Sequence, residues 1–292
     1  MDLTTFIIKV FCLTHDWLKE RRLRQRGPQP TLHDSEVLTM EIVGEFLGYD
    51  EEEEIYDYFR RHWAPFFPQL PTVHRTTFTR QAANLWRAKE ELWQDLLKQI
   101  HFDEQLSIVD SFPQPVCRFA RAKWSRLFRG QAAYGYDELA KQTFYGFRFH
   151  ARVCWPGVIV AAELTPANIH DLQALDDLVE GSTGWVLGDR NYWSPKKKEA
   201  LAQKGICLET PYKSTKREKK RWPLWLVQKR RRIETVFSQL VGRFQAKTVW
   251  ARDMWHLCSR WLRKILSHTV AVFLAQQLAL ESPLQFDGLI TD

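Results

Sequence analysis

Near its middle the chain reads Phe144-Tyr-Gly-Phe-Arg-Phe-His-Ala-Arg-Val-Cys154, then Trp155-Pro-Gly157, then Val158-Ile-Val-Ala-Ala-Glu-Leu164. The first segment partly alternates apolar and polar residues, and the last is almost wholly apolar. Proline followed by glycine is a strong turn signal. Two strand-like segments around such a turn predict a β-hairpin.

Outward from the hairpin, short apolar runs predict further strands at 106–110, 185–188 and 206–210. Helices are predicted from Asn168, from Ser194, around Glu234, and over 255–280. Asn168 is expected to cap its helix, with Asp171 as the capping-box partner. The resulting order is β-β-β-α-β-α-β-α-α, which predicts an α/β fold with a mixed sheet flanked by helices.

The region before the sheet has helical apolar spacing, as in Asp34–Leu47, Glu51–Arg61 and Arg75–Ile100. We therefore expect an all-helical N-terminal domain over 1–103. Its basic residues fit a DNA-contacting domain and a solvated helical cap equally well. The second domain is expected over 104–280 with a basic insert at about 113–143, and 281–292 as a C-terminal tail.

The composition restricts the class of protein. The net charge is +7 and the sequence pI about 9.1, which favours a polyanionic partner. The five cysteines are odd in number and contain no C-x-x-C pair, which argues against a disulfide framework and a structural zinc site and suits a reducing cytoplasm. The longest apolar stretch, 269–280, is too short to span a bilayer.

Three carboxylates follow a pattern that suggests metal chemistry. Asp110 and Asp189 end two of the predicted strands, and Glu234 lies on a predicted helix. A single Asp after a strand is often a turn former or a helix cap. Together, however, such residues could hold Mg²⁺, which prefers oxygen ligands, and two such ions serve phosphodiester chemistry. In a basic protein this order indicates an enzyme that cuts or joins DNA or RNA.

Five strings in this order resemble the RNase H-like catalytic domain of DDE-type bacterial insertion-sequence transposases. They are Val109-Asp-Ser-Phe-Pro113, Phe144-Tyr-Gly-Phe-Arg-Phe-His150, Leu164-Thr-Pro-Ala-Asn-Ile-His-Asp171, Gly188-Asp-Arg-Asn-Tyr192 and Arg231-Arg-Ile-Glu-Thr-Val-Phe237. The resemblance covers roughly 104–280. It implies an RNase H-like mixed sheet flanked by helices.

The resemblance also implies an activity. Asp110, Asp189 and Glu234 become the catalytic, metal-binding triad, with two Mg²⁺ or Mn²⁺ ions per site. The enzyme would cut insertion-sequence ends and join the 3′-hydroxyl to target DNA. Its partner would be double-stranded DNA, bound by a homo-oligomer at the bacterial nucleoid in the cytoplasm, with no membrane association. Two alternatives remain: an RNase H-like nuclease, and a non-catalytic DNA-binding protein descended from a transposase.

Residues around the triad are assigned supporting roles. His170 and Asp171 could help to position DNA or metal-bound water, although helix capping is the competing explanation for Asp171. Basic residues near the triad are expected to contact the phosphate backbone. These are Arg118, Arg121, Lys123, Lys213, Lys216, Lys219, Lys220, Arg221 and Arg230.

Overall fold

The computed structural model describes residues 1–21, 23, 26–211 and 222–291. In these ranges the α-helices are α1 (Leu3–Lys19), α2 (Asp34–Phe46), α3 (Glu52–His62), α4 (Arg75–Asn84), α5 (Trp86–Leu97), α6 (Phe119–Ala122), α7 (Asp171–Leu178), α8 (Pro195–Ala202), α9 (Leu224–Gly242) and α10 (Met254–Gln277). The strands are β1 (Asp103–Pro115), β2 (Ala133–Asp137), β3 (Gln142–Trp155), β4 (Val158–Pro166), β5 (Gly184–Leu187) and β6 (Ile206–Glu209).

The strands form one mixed sheet, as predicted. Its order is β2-β3-β1-β5-β6, and β4 also pairs with β3. The β3–β4 hairpin turns at Gly157, whose φ of 140° is accessible to glycine without strain. Strand β1 is antiparallel to β3 and parallel to β5, and β5 is parallel to β6. Two parallel neighbours beside an antiparallel hairpin make the sheet mixed.

The chain divides into two compact units. One, here the sheet unit, is His101–Gln239, and the other, here the terminal unit, is Met1–Ile100 with Leu240–Asp292. The boundaries predicted at 103 and 280 divide the chain differently, because α10 groups with the N-terminal helices. Helix α10 contacts α2, α4 and α5, and it is therefore buried on nearly all sides from Leu257 to Ala275.

The two faces of β1 have different partners within the sheet unit. Successive side chains of a strand point to opposite faces. Val109 packs into an apolar cluster with Leu175 of α7 and Val186 of β5. Phe112 stacks edge-on against Phe237 of α9, with ring centroids 4.9 Å apart. Helices α7 and α9 therefore pack on opposite faces of β1. A polar side chain of β1 points toward one helix or the other according to its position in the strand.

The terminal unit encloses a cluster of ion pairs, here the buried ionic cluster. Arg263 and Lys264 of α10 are fully buried. Lys264 Nζ lies 2.7 Å from Glu45 Oε1 and 2.6 Å from Asp50 Oδ1, and Arg263 Nη1 lies 3.1 Å from Glu52 Oε1. Its other members are Glu41, Lys89 and Arg260. Arg263 and Arg260 lower the pKa of Glu52 to about 2, although burial alone would raise it.

Several predicted elements need correction. The single helix expected over 75–100 is interrupted at Leu85, which is the C-cap of α4 and precedes α5. Asp110 does not end its strand, because β1 continues in register with β3 as far as Pro115↔Gly146. The insert at 113–143 contains an unpredicted strand, β2, on the edge of β3.

No helix in the described part of the chain is long and apolar enough to cross a membrane.

Candidate active site

The sheet brings Asp110 and Asp189 to the same place. The last paired residues of β1 and β5 are Ile108 and Leu187. Asp110 lies two residues after Ile108, and Asp189 lies two residues after Leu187. Asp189 Oδ1 accepts a hydrogen bond of 2.8 Å from the backbone N–H of Asn191 and so caps a short 3₁₀ turn. The two carboxylates are therefore fixed where the β1–β5 ladder ends.

Arg230 of α9 connects Asp110 with Glu234. Its Nη1 lies 3.8 Å from Asp110 Oδ2, and its Nη2 donates a hydrogen bond of 2.9 Å to Glu234 Oε1. The spacing of four residues places Arg230 and Glu234 one turn apart on the same side of the helix. The Glu234 side chain is 55% exposed and that of Asp110 is 22% exposed, so both are accessible from solvent.

The carboxylates at this end of the sheet repel one another. Burial, with the negative charges of Asp189 and Asp171, raises the pKa of Asp110 to about 7, against the lowering effects of the Ser111 N–H and Arg230. Burial and Asp171 also raise the pKa of Asp189. Arg230 therefore offsets only part of the negative charge collected here.

Asp171 is a third carboxylate of this group and, unlike the half-buried Asp110 and Asp189, it is buried. Its Oδ1 accepts a hydrogen bond of 2.8 Å from Ser111 Oγ, and its Oδ2 accepts one of 3.2 Å from Asn191 Nδ2. Arg148 Nε and His150 Nδ1 lie 3.8 and 3.7 Å from Oδ1. Burial lowers the pKa of His150 to about 4, despite the opposing charge of Asp171. His150 is therefore neutral near pH 7.

The predicted capping arrangement is wrong. Helix α7 begins at Asp171, and its N-cap is His170, whose Nδ1 accepts a hydrogen bond of 3.2 Å from the N–H of Leu172. Asn168 lies before the helix. The side chain of Asp171 is thus bound to β1 and to the turn after β5. Of the two proposed assisting residues, the structure brings Asp171 to the other carboxylates, whereas the His170 ring is exposed and serves its own helix.

Several residues of this site were not selected from the sequence. Ser111 and Asn191 stand inside the quoted Asp110 and Asp189 strings, so their position beside an Asp was the available signal. Tyr192 is fully buried, and burial together with the neighbouring carboxylates raises the pKa of its hydroxyl well above 10. Gly188 leaves room for that ring, since a Cβ at Gly188 would lie 2.9 Å from ring atoms of Tyr192.

The residues fit divalent cations by charge and donor type. Carboxylate oxygens are the ligands that Mg²⁺ and Mn²⁺ prefer. Burial is the main cause that raises the pKa of Asp110, and the negative charges of Asp189 and Asp171 add to it despite Arg230. Over the ranges that the structure describes, no three His, Cys, Asp or Glu side chains are already arranged around one metal position. Glu234 is instead hydrogen-bonded to Arg230.

The predicted DNA-binding residues fall into three groups. Arg118, Arg121 and Lys123 are exposed in or beside α6, and Trp124 next to them is 74% exposed. Arg230 is part of the ion pairs just described. The remaining five lie outside the described residues: Lys213, Lys216, Lys219, Lys220 and Arg221.

Comparisons with known proteins give two matches. A family model described as "Transposase DDE domain" matches residues 102–250, half of the chain. A cryo-EM structure of a piggyBac transposase synaptic complex with hairpin DNA is similar at 10% sequence identity, with a TM-score of 0.48, over 98% of this chain and 76% of that one. A comparison with curated protein sequences finds no match.

Proposed function

The chain belongs to the transposase DDE domain family, and from that premise we propose that it is an insertion-sequence transposase that cuts element ends and joins the 3′-hydroxyl to target DNA. Asp110, Asp189 and Glu234 are its catalytic residues. They would hold two Mg²⁺ or Mn²⁺ ions, which when bound supply nucleophile activation and leaving-group stabilisation in phosphodiester chemistry.

One observation carries this proposal: Asp110 and Asp189 end up side by side where the β1–β5 ladder stops, and Arg230 links Asp110 to Glu234. Arg230 thus contacts two of the three carboxylates, and the third, Asp189, lies at the same end of the sheet as Asp110. A fold that needed only stability would gain little from placing Asp110 and Asp189 together, because like charges that are partly removed from water cost free energy.

The residues of the chain divide the work. Asp110 and Asp189 supply charged oxygen ligands fixed to the sheet, and Glu234 supplies one from α9. Arg230 neutralises part of their charge and can turn toward a phosphate, because guanidinium groups pair well with phosphate oxygens. The exposed Arg118, Arg121 and Lys123 would hold the DNA backbone, which orients the scissile phosphate without reading its sequence.

The substitution Asp189→Asn tests the proposal, because it keeps the shape of the side chain but removes a charged ligand. We expect cleavage and strand transfer on a substrate carrying the element's own ends to fall by orders of magnitude. DNA binding without divalent metal should persist, since phosphate contacts come from Lys and Arg. Asp110→Asn and Glu234→Gln should behave alike. Double variants should be little worse than single ones, because residues that act as a unit are not additive.

Other outcomes identify the alternatives. Cleavage without any strand transfer would indicate an RNase H-like nuclease. A parent protein that binds DNA but never cuts it with Mg²⁺ or Mn²⁺ would indicate a non-catalytic descendant of a transposase. Undiminished cleavage by the Asp189→Asn variant would remove the triad assignment. Asp176→Asn is a suitable control, because Asp176 lies on the surface of α7 and pairs with Lys197.

A further inference from the structure

We propose that Asp171 is the positioning residue of the metal site, which sets the distance between Asp110 and Asp189 through hydrogen bonds to Ser111 and Asn191. The inference rests on the proposed function in one respect, that Asp110 and Asp189 are metal ligands. It assigns Asp171 a role behind these ligands and not a place among them.

Asp171 lies where the hydrogen bonds between β1 and β5 have ended. The β1–β5 ladder ends at Ile108 and Leu187, so its hydrogen bonds do not reach the two catalytic carboxylates. Asp171 spans this gap. One of its oxygens accepts from Ser111, the residue after Asp110, and the other accepts from Asn191, whose backbone N–H holds Asp189. Asp171 therefore connects the two chain segments where the sheet no longer does.

Asp110 and Ser111 lie on opposite faces of β1. Asp110 points toward α9, as its contact with Arg230 shows, and Ser111 points toward α7, as its bond with Asp171 shows. Alternation along a strand places these two side chains on opposite faces. Asp171 thus approaches β1 from the face opposite Arg230. From that face Asp171 can fix the backbone next to Asp110 without taking the place of Asp110 as a metal ligand.

The buried carboxylate of Asp171 needs polar partners to offset the loss of its hydration. The Asp171 side chain is only 7% exposed, and it lies near two other carboxylates. Burying this charge costs free energy unless several partners compensate it. Here the compensation comes from Ser111, Asn191 and the nearby guanidinium of Arg148, which also donates a hydrogen bond of 3.3 Å to Ser111 Oγ. The first turn of α7 needs no such side chain for its own capping, because His170 provides the cap.

The test measures metal binding directly, with the full-length protein and no DNA. Free Mn²⁺ is followed by electron paramagnetic resonance as the protein is titrated. We expect Asp171→Asn and the double variant Ser111→Ala/Asn191→Ala to weaken Mn²⁺ binding by about 10- to 100-fold, the usual effect of removing the surrounding groups that orient metal ligands. Asp176→Asn on the same helix should bind Mn²⁺ as the parent does.

Thermal unfolding of each variant separates positioning from stability, since a merely structural residue would lower the unfolding temperature without changing the affinity of the folded protein. If Asp171→Asn does not fold, the double variant decides, because Asn191 is exposed and both changes only shorten a side chain.

Two results would overturn the inference. One is parental Mn²⁺ affinity in Asp171→Asn, or in the double variant if only that one folds. The other is complete loss of binding in Asp171→Asn with parental affinity in the double variant, which would make Asp171 itself a ligand. A parent that binds Mn²⁺ yet never cuts DNA would instead defeat the transposase proposal, and the titration would still decide the role of Asp171.

Discussion

At the scale of single residues, Asp110 has the most unusual surroundings of the proposed ligands. Burial raises the pKa of Asp110, and so do the negative charges of Asp189 and Asp171, which lie at the same end of the sheet. The guanidinium of Arg230, 3.8 Å from Asp110 Oδ2, has the opposite effect. The raised pKa of Asp110 means that the carboxylate is partly protonated near neutral pH when no metal is bound. Metal binding must displace this proton, which links metal affinity to pH.

This raised pKa predicts how stability depends on pH. Protonated Asp110 favours the metal-free folded state, so its contribution is complete below pH 4 and is lost as the pH rises through about 7. Asp110→Asn carries no charge to lose. In chelator, the free energy of unfolding of the variant should therefore rise relative to that of the parent between pH 4 and pH 8, by at most about 4 kcal/mol.

Urea unfolding at several pH values measures this difference. Added Mg²⁺ should reduce it at pH 8, because a ligand that binds the folded parent stabilises it. Parallel pH profiles for the two proteins in chelator would show that Asp110 has an ordinary pKa.

At the scale of elements, the start of α7 decides which of its residues can face the proposed metal site. Because the helix begins at Asp171 and not near Asn168, the carboxylate is free to reach Ser111 and Asn191. Loss of the cap should loosen this turn.

His170→Ala should lower the free energy of unfolding by about 1 kcal/mol, the usual cost of losing an N-cap. Asn168→Ala, two residues earlier and exposed, is the matched control and should be neutral. Chemical denaturation of both variants measures the effect. Equal destabilisation by the two changes would return the cap to Asn168.

The elements also show what the sequence could and could not predict. The β3–β4 hairpin could be predicted from local patterns, and so could the positions of Asp110 and Asp189 on or after strands. Periodicity and turn residues act over only a few positions. The break at Leu85 could not be predicted, since apolar spacing continues through it. Asp171 was a candidate assisting residue, but its hydrogen bonds did not follow from the sequence, because its partners lie 60 and 20 residues away. Only the folded sheet brings them together.

The basic residues beside α6 are expected to act on DNA through charge alone. Replacing Arg118, Arg121 and Lys123 with alanine should flatten the dependence of log binding constant on log salt by about 0.9 per lost phosphate contact. A salt titration of DNA binding measures the slope. The variant Lys9→Ala/Lys196→Ala/Lys204→Ala, which removes three exposed charges outside this segment, controls for net charge. An unchanged slope in the triple variant would remove this segment from the DNA interface.

At the scale of the whole molecule, the buried ionic cluster joins distant parts of the sequence. Lys264 and Arg263 bind acidic groups more than two hundred residues earlier in the chain. A charge that loses its partner inside a protein is costly, so the members of this cluster depend on one another.

Arg263→Met should therefore lower the free energy of unfolding of the terminal unit by about 3–5 kcal/mol, because Glu45 and Glu52 lose a buried partner. Arg87→Met breaks an exposed pair with Glu91 and should cost less than about 1 kcal/mol. Urea unfolding of the two variants makes the comparison. Similar stabilities would mean that the cluster contributes little.

The division of the chain also has a consequence for synthesis on the ribosome. The sheet unit occupies 101–239, between the two segments of the terminal unit. Synthesis adds about 5–20 residues per second, so several seconds to half a minute pass between completion of the first hundred residues and synthesis of α10. During this time Glu41 and Glu45 lack their cationic partners on α10. The sheet unit is thus complete first, an order that protease protection of ribosome-bound chains of increasing length can measure.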